Sequence, residues 1–292
     1  MHKLHTARIC KSGLISDNEI EPNVISIGFG DFVPARDARP ERTTVSNAHL
    51  ELPRITAAQL EQAVFAANPR TAVFDCDGTI WSGDSGHGFM IWSIEQGLVS
   101  RSASDWIDNR YRAYLAGNVS ELTICGEMVQ LYEGLREQEL LTAAAEYVGS
   151  FVRQRIFPEI QRLLDRLNER GVEIWAVSST NKWVVAEGVR TFGIPGSRVL
   201  AAEVRVESGL VTNQLTDVPT DEGKAASLVR VGLARPDAVF GNSIHDYAML
   251  EIAANAFPIN PSPALIEAAT RKAWNWFRPA AAEGVHAGVA GE

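Results

Sequence analysis

The sequence predicts an α/β protein with a parallel sheet and helices on both of its faces. Four short apolar runs recur along the chain, at Thr71–Asp75, Val172–Val177, Ala238–Phe240 and Ala256–Ile259. Each run is followed by a stretch of helical periodicity, and this alternation is typical of parallel sheets. Almost 100 residues separate the first two runs, whereas a strand–helix–strand unit takes on the order of 30 residues. The surplus predicts a subdomain inserted into a Rossmann-like core.

The elements outside the insertion follow from local patterns. Residues 1–53 are rich in turn-forming residues and keep no regular period, so we interpret them as a flexible N-terminal extension. Residues 56–67 have the spacing of an amphipathic helix. Farther along, 203–207 and 210–215 flank Ser208-Gly209 and predict a β-hairpin on one edge of the sheet.

The insertion predicts four helices, because helical periodicity recurs and glycines fall where helices stop. The helices are Phe89–Gln96, Ala103–Ala116, Ser120–Glu133 and Glu137–Arg153. Pro158 suits the first turn of the helix that leads back to the sheet. We therefore assign residues 54–81 and 155–280 to an α/β core, 82–154 to an all-helical cap and 281–292 to a C-terminal tail.

Composition limits the partners and the compartment of the chain. Hydrophobic residues make up 46% and charged residues 22%, as in ordinary globular proteins. No apolar run approaches the roughly 20 residues of a membrane-spanning helix, so we expect a cytoplasmic protein without a membrane partner. The net charge of −9 opposes binding to nucleic acid. The three cysteines, Cys10, Cys76 and Cys125, lack zinc-site spacing and are expected to stay reduced.

An acidic pair stands directly after the first apolar run, in Asp75-Cys76-Asp77-Gly78-Thr79. The first carboxylate suits attack on phosphorus, and the second suits proton donation to the leaving oxygen. Gly78 lets the backbone turn sharply there. An ordinary acidic turn is the alternative, because Asp-Gly pairs are common in turns.

Three further groups of polar residues accompany the later strands and helices. Ser178 ends the second run and Ser179 follows it; hydroxyls and free amides at a helix start bind phosphate oxygens, although a simple N-cap is the alternative. Lys224 lies near a helix start, where it offsets negative charge or is merely a surface lysine. Asn242 and Asp246 follow the third run and carry oxygen atoms suited to a hard cation.

Taken in this order, the four groups resemble the motifs of the haloacid dehalogenase superfamily. The resemblance spans about Arg70 to Pro261, and the position of the insertion is similar to that in the phosphoserine phosphatase-like branch. It implies a magnesium-dependent phosphatase, with Asp75 as the nucleophile that forms an aspartyl-phosphate and Asp77 as the general acid and base. The implied phosphate-binding residues are Ser178, Ser179, Lys224, Gly78 and Thr79. The implied ligands of Mg²⁺ are the Asp75 carboxylate, the Asp77 carbonyl and Asn242, with Asp246 in support.

The sequence departs from the resemblance at one position, since the fourth motif of this branch usually begins Gly-Asp and here it is Gly241-Asn242. An amide oxygen still coordinates Mg²⁺ but removes one negative charge. Asparagine there is similar to the dehalogenases, whereas an acid at Asp77 is typical of the phosphatases. A phosphomutase and a non-catalytic binder of a phosphorylated metabolite remain alternatives.

The predicted substrate is a small phosphorylated metabolite, phosphoserine-like or phosphorylcholine-like. Asp84 lies nine residues after Asp75, where the resemblance implies an acid near a substrate ammonium. Arg110 and Arg112 in the insertion are candidates for a substrate carboxylate, and aromatic residues there are candidates for a quaternary ammonium. A solvated loop or helix face is the alternative for each charged residue. We expect the insertion to act as a mobile lid that hinges at Gly83, Gly86 and Gly88.

Overall fold

The computed structural model describes residues 54–282, so the predictions for residues 1–53 and for the tail beyond residue 282 lie outside it. The strands in chain order are β1 Arg54–Ile55, β2 Thr71–Phe74, β3 Glu173–Asn181, β4 Val199–Glu207, β5 Leu210–Asp217, β6 Ala238–Gly241, β7 Asn255–Pro258 and β8 Trp276–Phe277. Six of them form one sheet in the order β5-β4-β3-β2-β6-β7. All neighbours in it are parallel except β4 and β5. The predicted parallel sheet is confirmed.

Helices cover both faces of this sheet, as the sequence predicts. The core helices are α1 Ala57–Ala66, α6 Pro158–Glu169, α7 Lys182–Arg190, α8 Glu222–Arg230, α9 Tyr247–Glu251 and α10 Pro263–Lys272, numbered in chain order. Ala72 and Phe74 of β2 join one buried cluster, which includes the apolar stripe of α6. Val73, between them, joins a second cluster with residues of α8, α9 and α10. Successive side chains of β2 point to opposite faces of the sheet, so the strand packs against both helical layers.

The insertion forms the predicted helical cap. Its helices are α2 Ser85–Glu95, α3 Arg101–Leu115, α4 Glu121–Gln130 and α5 Glu137–Tyr147, followed by a π-helical turn at Val148–Val152 and a 3₁₀ turn at Arg153–Arg155. Serines or aspartate cap three of these helices, at Asp84, Ser100 and Ser120, and each accepts a hydrogen bond from a backbone amide in the first turn.

A row of stacked phenylalanines aligns three neighbouring strands. Phe74 pairs in register with Phe240, and Phe240 with Phe257. Their ring centroids lie 4.1 Å and 5.1 Å apart, and aromatic pairs add about 0.5–1.5 kcal/mol each beyond their buried area. Because β2 and β6 are paired in this register, Asp75 and Asn242, which follow them, lie at the same edge of the sheet.

Several boundaries differ from the sequence prediction. Helix α2 begins four residues before the predicted Phe89, so Gly86 and Gly88 are helical. A Cβ on Gly86 would lie 2.5 Å from Thr180 Oγ1, and one on Gly88 would lie 2.1 Å from the Tyr147 hydroxyl. These two glycines allow close packing of α2 against Thr180 and Tyr147, and their role as a hinge stays a prediction. Gly83, with φ of +88°, keeps a backbone conformation that favours glycine.

The predicted hairpin is confirmed, but its first strand is longer than predicted. The first half of β4 pairs in parallel with β3, and only the second half pairs with β5. The hairpin thus continues the central sheet. None of the helices within residues 54–282 combines the length and the hydropathy needed to cross a membrane.

Candidate active site

The carboxyl ends of the central strands line a cavity of about 420 Å³. Asp75 and Asn242 directly follow β2 and β6 in this cavity, Ser178 lies in the last part of β3, and the cap forms the opposite wall. Ligands bind parallel α/β sheets at this edge, and the volume lies in the usual range for small-molecule sites.

An irregularity in β3 increases the number of its residues that line the cavity. The pairing of β3 with β4 shifts register between Ser178 and Asn181, and such bulges re-aim side chains next to functional sites. Consequently four consecutive residues, Ser178, Ser179, Thr180 and Asn181, all line the cavity. Regular alternation would have turned two of them away.

Asp75 is held by a buried ion-pair network. Lys224 Nζ donates to Asp75 Oδ1 at 2.7 Å and also to Asp246 Oδ1. Burial raises the pKa of Asp75 most, the charge of Asp246 raises it further, and Lys224 opposes both. Burial acts to lower the pKa of Lys224, but the two carboxylates outweigh it and raise this pKa above its usual range. Lys224 therefore remains a cation beside the carboxylate of Asp75.

Asp77 accepts three hydrogen bonds that fix its orientation. Trp81 Nε1 and the Ser85 amide each donate to its Oδ1 at 2.7 Å, and Thr180 Oγ1 donates to its Oδ2 at 2.6 Å. The donors come from the turn after β2, from the start of α2 and from β3. Asp77 thus connects the first and second sequence motifs with the root of the cap.

The structure places Gly78 and Thr79 differently from the phosphate-binding position that the resemblance implies. The Gly78 amide donates to the Trp81 carbonyl at 2.7 Å. The Thr79 hydroxyl donates to Asp75 Oδ2 at 2.8 Å. Thr79 is fully buried and does not line the cavity, whereas Gly78 does. Thr79 therefore orients Asp75 rather than presenting its hydroxyl to a ligand.

The side chain of Asn242 packs directly over Gly78. A Cβ on Gly78 would lie 1.9 Å from Asn242 Nδ2, and the φ of Gly78 is +75°. Both facts require glycine at this position. Close approach of this kind brings the backbone at Asp77 and the carboxamide of Asn242 to one corner of the cavity.

The residues at that corner fit a hard cation. Neither the Asp77 carbonyl nor the Asn242 carboxamide has a hydrogen-bond partner within residues 54–282. Together with Asp75 they offer oxygen donors, the type that Mg²⁺ prefers. Asp246 does not compete for this role, because its Oδ2 accepts from the amides of Asn242 and Ser243 at 2.8 Å and 2.9 Å and its Oδ1 accepts from Lys224. Among the described residues there is no cluster of three acidic, histidine or cysteine side chains with metal-binding spacing, so the donors at this corner include a backbone carbonyl and a carboxamide.

The three predicted substrate residues are separated in the structure. Asp84 lines the cavity and caps α2, where its Oδ1 accepts from the His87 amide at 2.8 Å. Arg110 pairs with Glu127 at 2.8 Å, Arg112 pairs with Asp108, and neither arginine lines the cavity.

The cap wall contains Glu121, which the sequence did not connect with the site, and Tyr111 and Tyr114, which belong to the aromatic residues proposed for a quaternary ammonium. Glu121, at the start of α4, lines the cavity and accepts a hydrogen bond from the Tyr114 hydroxyl. Tyr111 lies beside it, with its ring stacked on His87 at 4.1 Å between centroids. Helical spacing does not reveal which turn of α3 or α4 faces the sheet, so the assembled fold is needed to show that Glu121, Tyr111 and Tyr114 line the cavity.

Comparisons with known proteins identify the family of the chain. The family model described as haloacid dehalogenase-like hydrolase matches residues 72–251, more than half of the chain. Over 214 residues the chain is 23% identical to a histidinol-phosphatase from Neisseria meningitidis, covering 70% of this chain and 96% of that protein. Over 263 residues it is 22% identical to the phosphoserine phosphatase SerB1 of Mycobacterium tuberculosis, covering 85% and 83%.

A solved structure has the same fold. A protein of unknown function from Bordetella pertussis superimposes with a TM-score of 0.64 at 22% identity, covering 72% of this chain and 98% of that one. The matched family segment contains all four motifs, from Asp75 to Asp246, and confirms the family predicted from them. The chain belongs to the haloacid dehalogenase-like hydrolases.

Proposed function

We propose that this hydrolase is a magnesium-dependent phosphatase that cleaves small phosphate monoesters through an aspartyl-phosphate on Asp75. One observation carries the proposal. Asp75 and Asp77 face the same cavity, the first beside the buried cation of Lys224 and the second fixed by three donors. The two relatives named as phosphatases add support.

The proposed reaction has two steps. A carboxylate oxygen of Asp75 attacks phosphorus while Asp77 gives a proton to the leaving alcohol oxygen, so that the P–O ester bond breaks and an aspartyl-phosphate forms. Asp77, now ionised, takes a proton from a water that attacks the same phosphorus. Phosphate leaves and the Asp75 carboxylate is restored.

The surrounding residues neutralise and orient the phosphoryl group. Lys224 offsets the charge of Asp75 before attack, and the hydroxyls of Ser178 and Ser179 are available to the phosphoryl oxygens from β3. Mg²⁺, held by Asp75, the Asp77 carbonyl and Asn242, would supply further positive charge at the phosphoryl oxygens. Positioning and charge account for most catalysis of this kind, so the sheet motifs leave the alcohol open between phosphoserine-like and phosphorylcholine-like groups.

The alternatives within the family have less support. Halide release needs no proton donor, whereas Asp77 is held in the cavity by Trp81, Ser85 and Thr180. A non-catalytic binder would need no such arrangement around a nucleophile and an acid.

The test is hydrolysis of p-nitrophenyl phosphate with and without Mg²⁺. We expect turnover that stops with EDTA and in Asp75→Asn, because an amide does not attack phosphorus. Asp77→Asn should slow an alkyl phosphate at least tenfold more than the aryl ester, as is typical when a poor leaving group loses its roughly 10²–10⁴-fold proton donation. Full activity of a correctly folded Asp75→Asn protein would refute the proposal.

A further inference from the structure

The cation that lines the cavity lies on the sheet side, whereas the charged residues that the cap and its root contribute are acidic. Lys224, beside Asp75, is the only lysine or arginine among the described residues that line it. The cap and its root contribute two carboxylates, Asp84 and Glu121, and the phenols of Tyr111 and Tyr114. The alcohol part of a bound ester would therefore meet an acidic and aromatic wall.

These four side chains form one group. Glu121 accepts from the Tyr114 hydroxyl, and the rings of Tyr111 and Tyr114 lie 5.7 Å apart. Burial in the cleft, followed by the charge of Asp77 and, less strongly, of Glu121, raises the pKa of Asp84 to about 6. Burial and then the charges of Asp84 and Glu121 raise the pKa of Tyr111 to about 12, so its ring stays neutral beside them.

Both carboxylates also have local roles within the cap. Asp84 caps α2, and Glu121 is the first residue of α4. A negative charge at a helix start interacts favourably with the helix dipole. A neutral amide at position 121 would still accept the Tyr114 hydrogen bond. The local structure therefore does not require a charged residue at position 121. Glu121 nevertheless adds a second negative charge to a cavity wall that already has Asp84.

Resting on the phosphatase function proposed above, we propose that the cap wall selects phosphate esters of alcohols that carry a positive charge and no carboxylate. Glu121 and Asp84 attract the cation, and the faces of Tyr111 and Tyr114 add cation–π contacts. A substrate carboxylate would meet these two acids with no cationic partner on the cap wall, because Arg110 and Arg112 are paired elsewhere. Repulsion of this kind separates close analogues as effectively as attraction does.

The matched pair for the experiment is O-phosphoethanolamine and O-phosphoserine, which differ only by the carboxylate. We expect kcat/KM for phosphoethanolamine to exceed that for phosphoserine by at least about tenfold, the usual scale of discrimination by one group in a pocket. Equal values, or a preference for phosphoserine, would overturn the proposal. Hydrolysis of p-nitrophenyl phosphate, measured in parallel, reports on the phosphatase function separately.

Glu121→Gln tests the residue that defines the wall. The variant should lose the preference for phosphoethanolamine over phosphoserine, so that their ratio of kcat/KM moves toward one. The control is Glu127→Gln on the same helix, since Glu127 pairs with Arg110 outside the cavity; its ratio should equal that of the parent. The same ratio in both variants would exclude Glu121 as the selecting group.

Binding provides a measurement that needs no turnover. Calorimetric titration of Asp75→Asn protein should give tighter binding of phosphoethanolamine than of phosphoserine. If p-nitrophenyl phosphate is not hydrolysed but this order of affinities holds, the phosphatase function fails while the selectivity of the wall stands. Indistinguishable affinities would overturn the selectivity even if hydrolysis is observed.

Discussion

Thr180 is the residue on which the orientation of Asp77 most clearly depends. Its hydroxyl donates to Asp77 Oδ2 at 2.6 Å from β3, whereas the two donors to Oδ1 come from the chain around Asp77 itself. Thr180 is almost fully buried, at 7% exposure. We therefore infer that Thr180 positions Asp77 for the proton donation proposed above.

We expect Thr180→Val to lower kcat for alkyl phosphates by about tenfold and for p-nitrophenyl phosphate by much less, since only the former need strong proton donation. Thr180→Ser, which keeps the hydroxyl, should recover most of the loss. The measurement is the dependence of kcat on leaving-group pKa for the parent and both variants. A uniform loss across all esters would show that Thr180 supports the fold rather than Asp77.

Position 242 determines the charge of the candidate cation site. Asn242→Asp adds a carboxylate next to Asp75, and we expect the apparent affinity for Mg²⁺ to rise on the order of tenfold, because ligand charge tunes cation affinity. Without Mg²⁺ the added repulsion should lower the melting temperature, so that Mg²⁺ raises it more than in the parent. An unchanged response to Mg²⁺ in both measurements would exclude Asn242 as a ligand.

Site residues that are close together in the sequence can be predicted from it, whereas residues that only folding brings together cannot. The acidic pair at Asp75 and Asp77 is recognisable because both residues follow one strand. Thr180 shows no local sign of its role, since its contact with Asp77 spans 103 positions. Glu121 carries no local signal at all, because a glutamate in a first helical turn is common.

The packing of helix α7 against Trp81 stabilises the turn that carries the acidic pair. A Cβ on Gly188 of α7 would lie 2.9 Å from the Trp81 ring. That ring is buried and donates its Nε1 hydrogen to Asp77. A helix with a larger residue at this position would displace the indole.

Gly188→Ala should therefore destabilise the protein although alanine favours helices. Overpacking costs about 1–3 kcal/mol, which exceeds the gain of up to about 1 kcal/mol from replacing glycine in a helix. The matched control is Gly149→Ala, where a Cβ would meet nothing within 4 Å; it should leave the free energy of unfolding unchanged or raise it. Chemical denaturation of both variants provides the measurement, and equal stabilities would contradict the packing argument.

Elements are predicted well where periodicity is strong and poorly where close packing sets the boundary. The buried stripe of α6 repeats at Ile160, Leu163, Leu164 and Leu167, so its position is clear from sequence. Gly86 and Gly88 lie in the first turns of α2. Glycine has a low helix propensity, so the sequence there predicts a loop. The contacts of these two glycines with Thr180 and Tyr147 explain why the helix tolerates them there.

Backbone hydrogen bonds attach the cap to the core at its root and at the β4–β5 hairpin. At its root the entering and leaving chains pair, with the Ser82 amide donating to the Arg155 carbonyl at 3.0 Å and the Phe157 amide to the Ile80 carbonyl at 2.9 Å. Beyond α4 the cap pairs with the β4–β5 hairpin, where Gly134 donates to Val211 at 2.8 Å and Val211 to Leu135 at 2.9 Å. Opening of the entire segment 82–154 would break this second attachment.

Within the cap, α3 is the helix least attached to the rest of the molecule. It is 15 residues long, and Ile107 is its only buried residue. By contrast α4 packs against β4 and β5, and α5 packs against α7. Segments with few buried apolar contacts open at low free energy. We therefore expect the lid motion to involve α3 rather than the whole cap, and α3 carries Tyr111 and Tyr114 of the cavity wall.

Hydrogen exchange distinguishes motion of α3 from motion of the whole cap. We expect amides of α3 to exchange much faster than those of Gly134 and Val211 in the free protein, because the latter are paired across the cap–hairpin junction. Orthovanadate, a phosphate mimic, together with ethanolamine should slow exchange in α3 and leave the junction unchanged, since closure over the occupied cavity orders the loosest wall. Fast exchange at Gly134 and Val211, suppressed by the same ligands, would instead show that the cap leaves the hairpin and moves as one body.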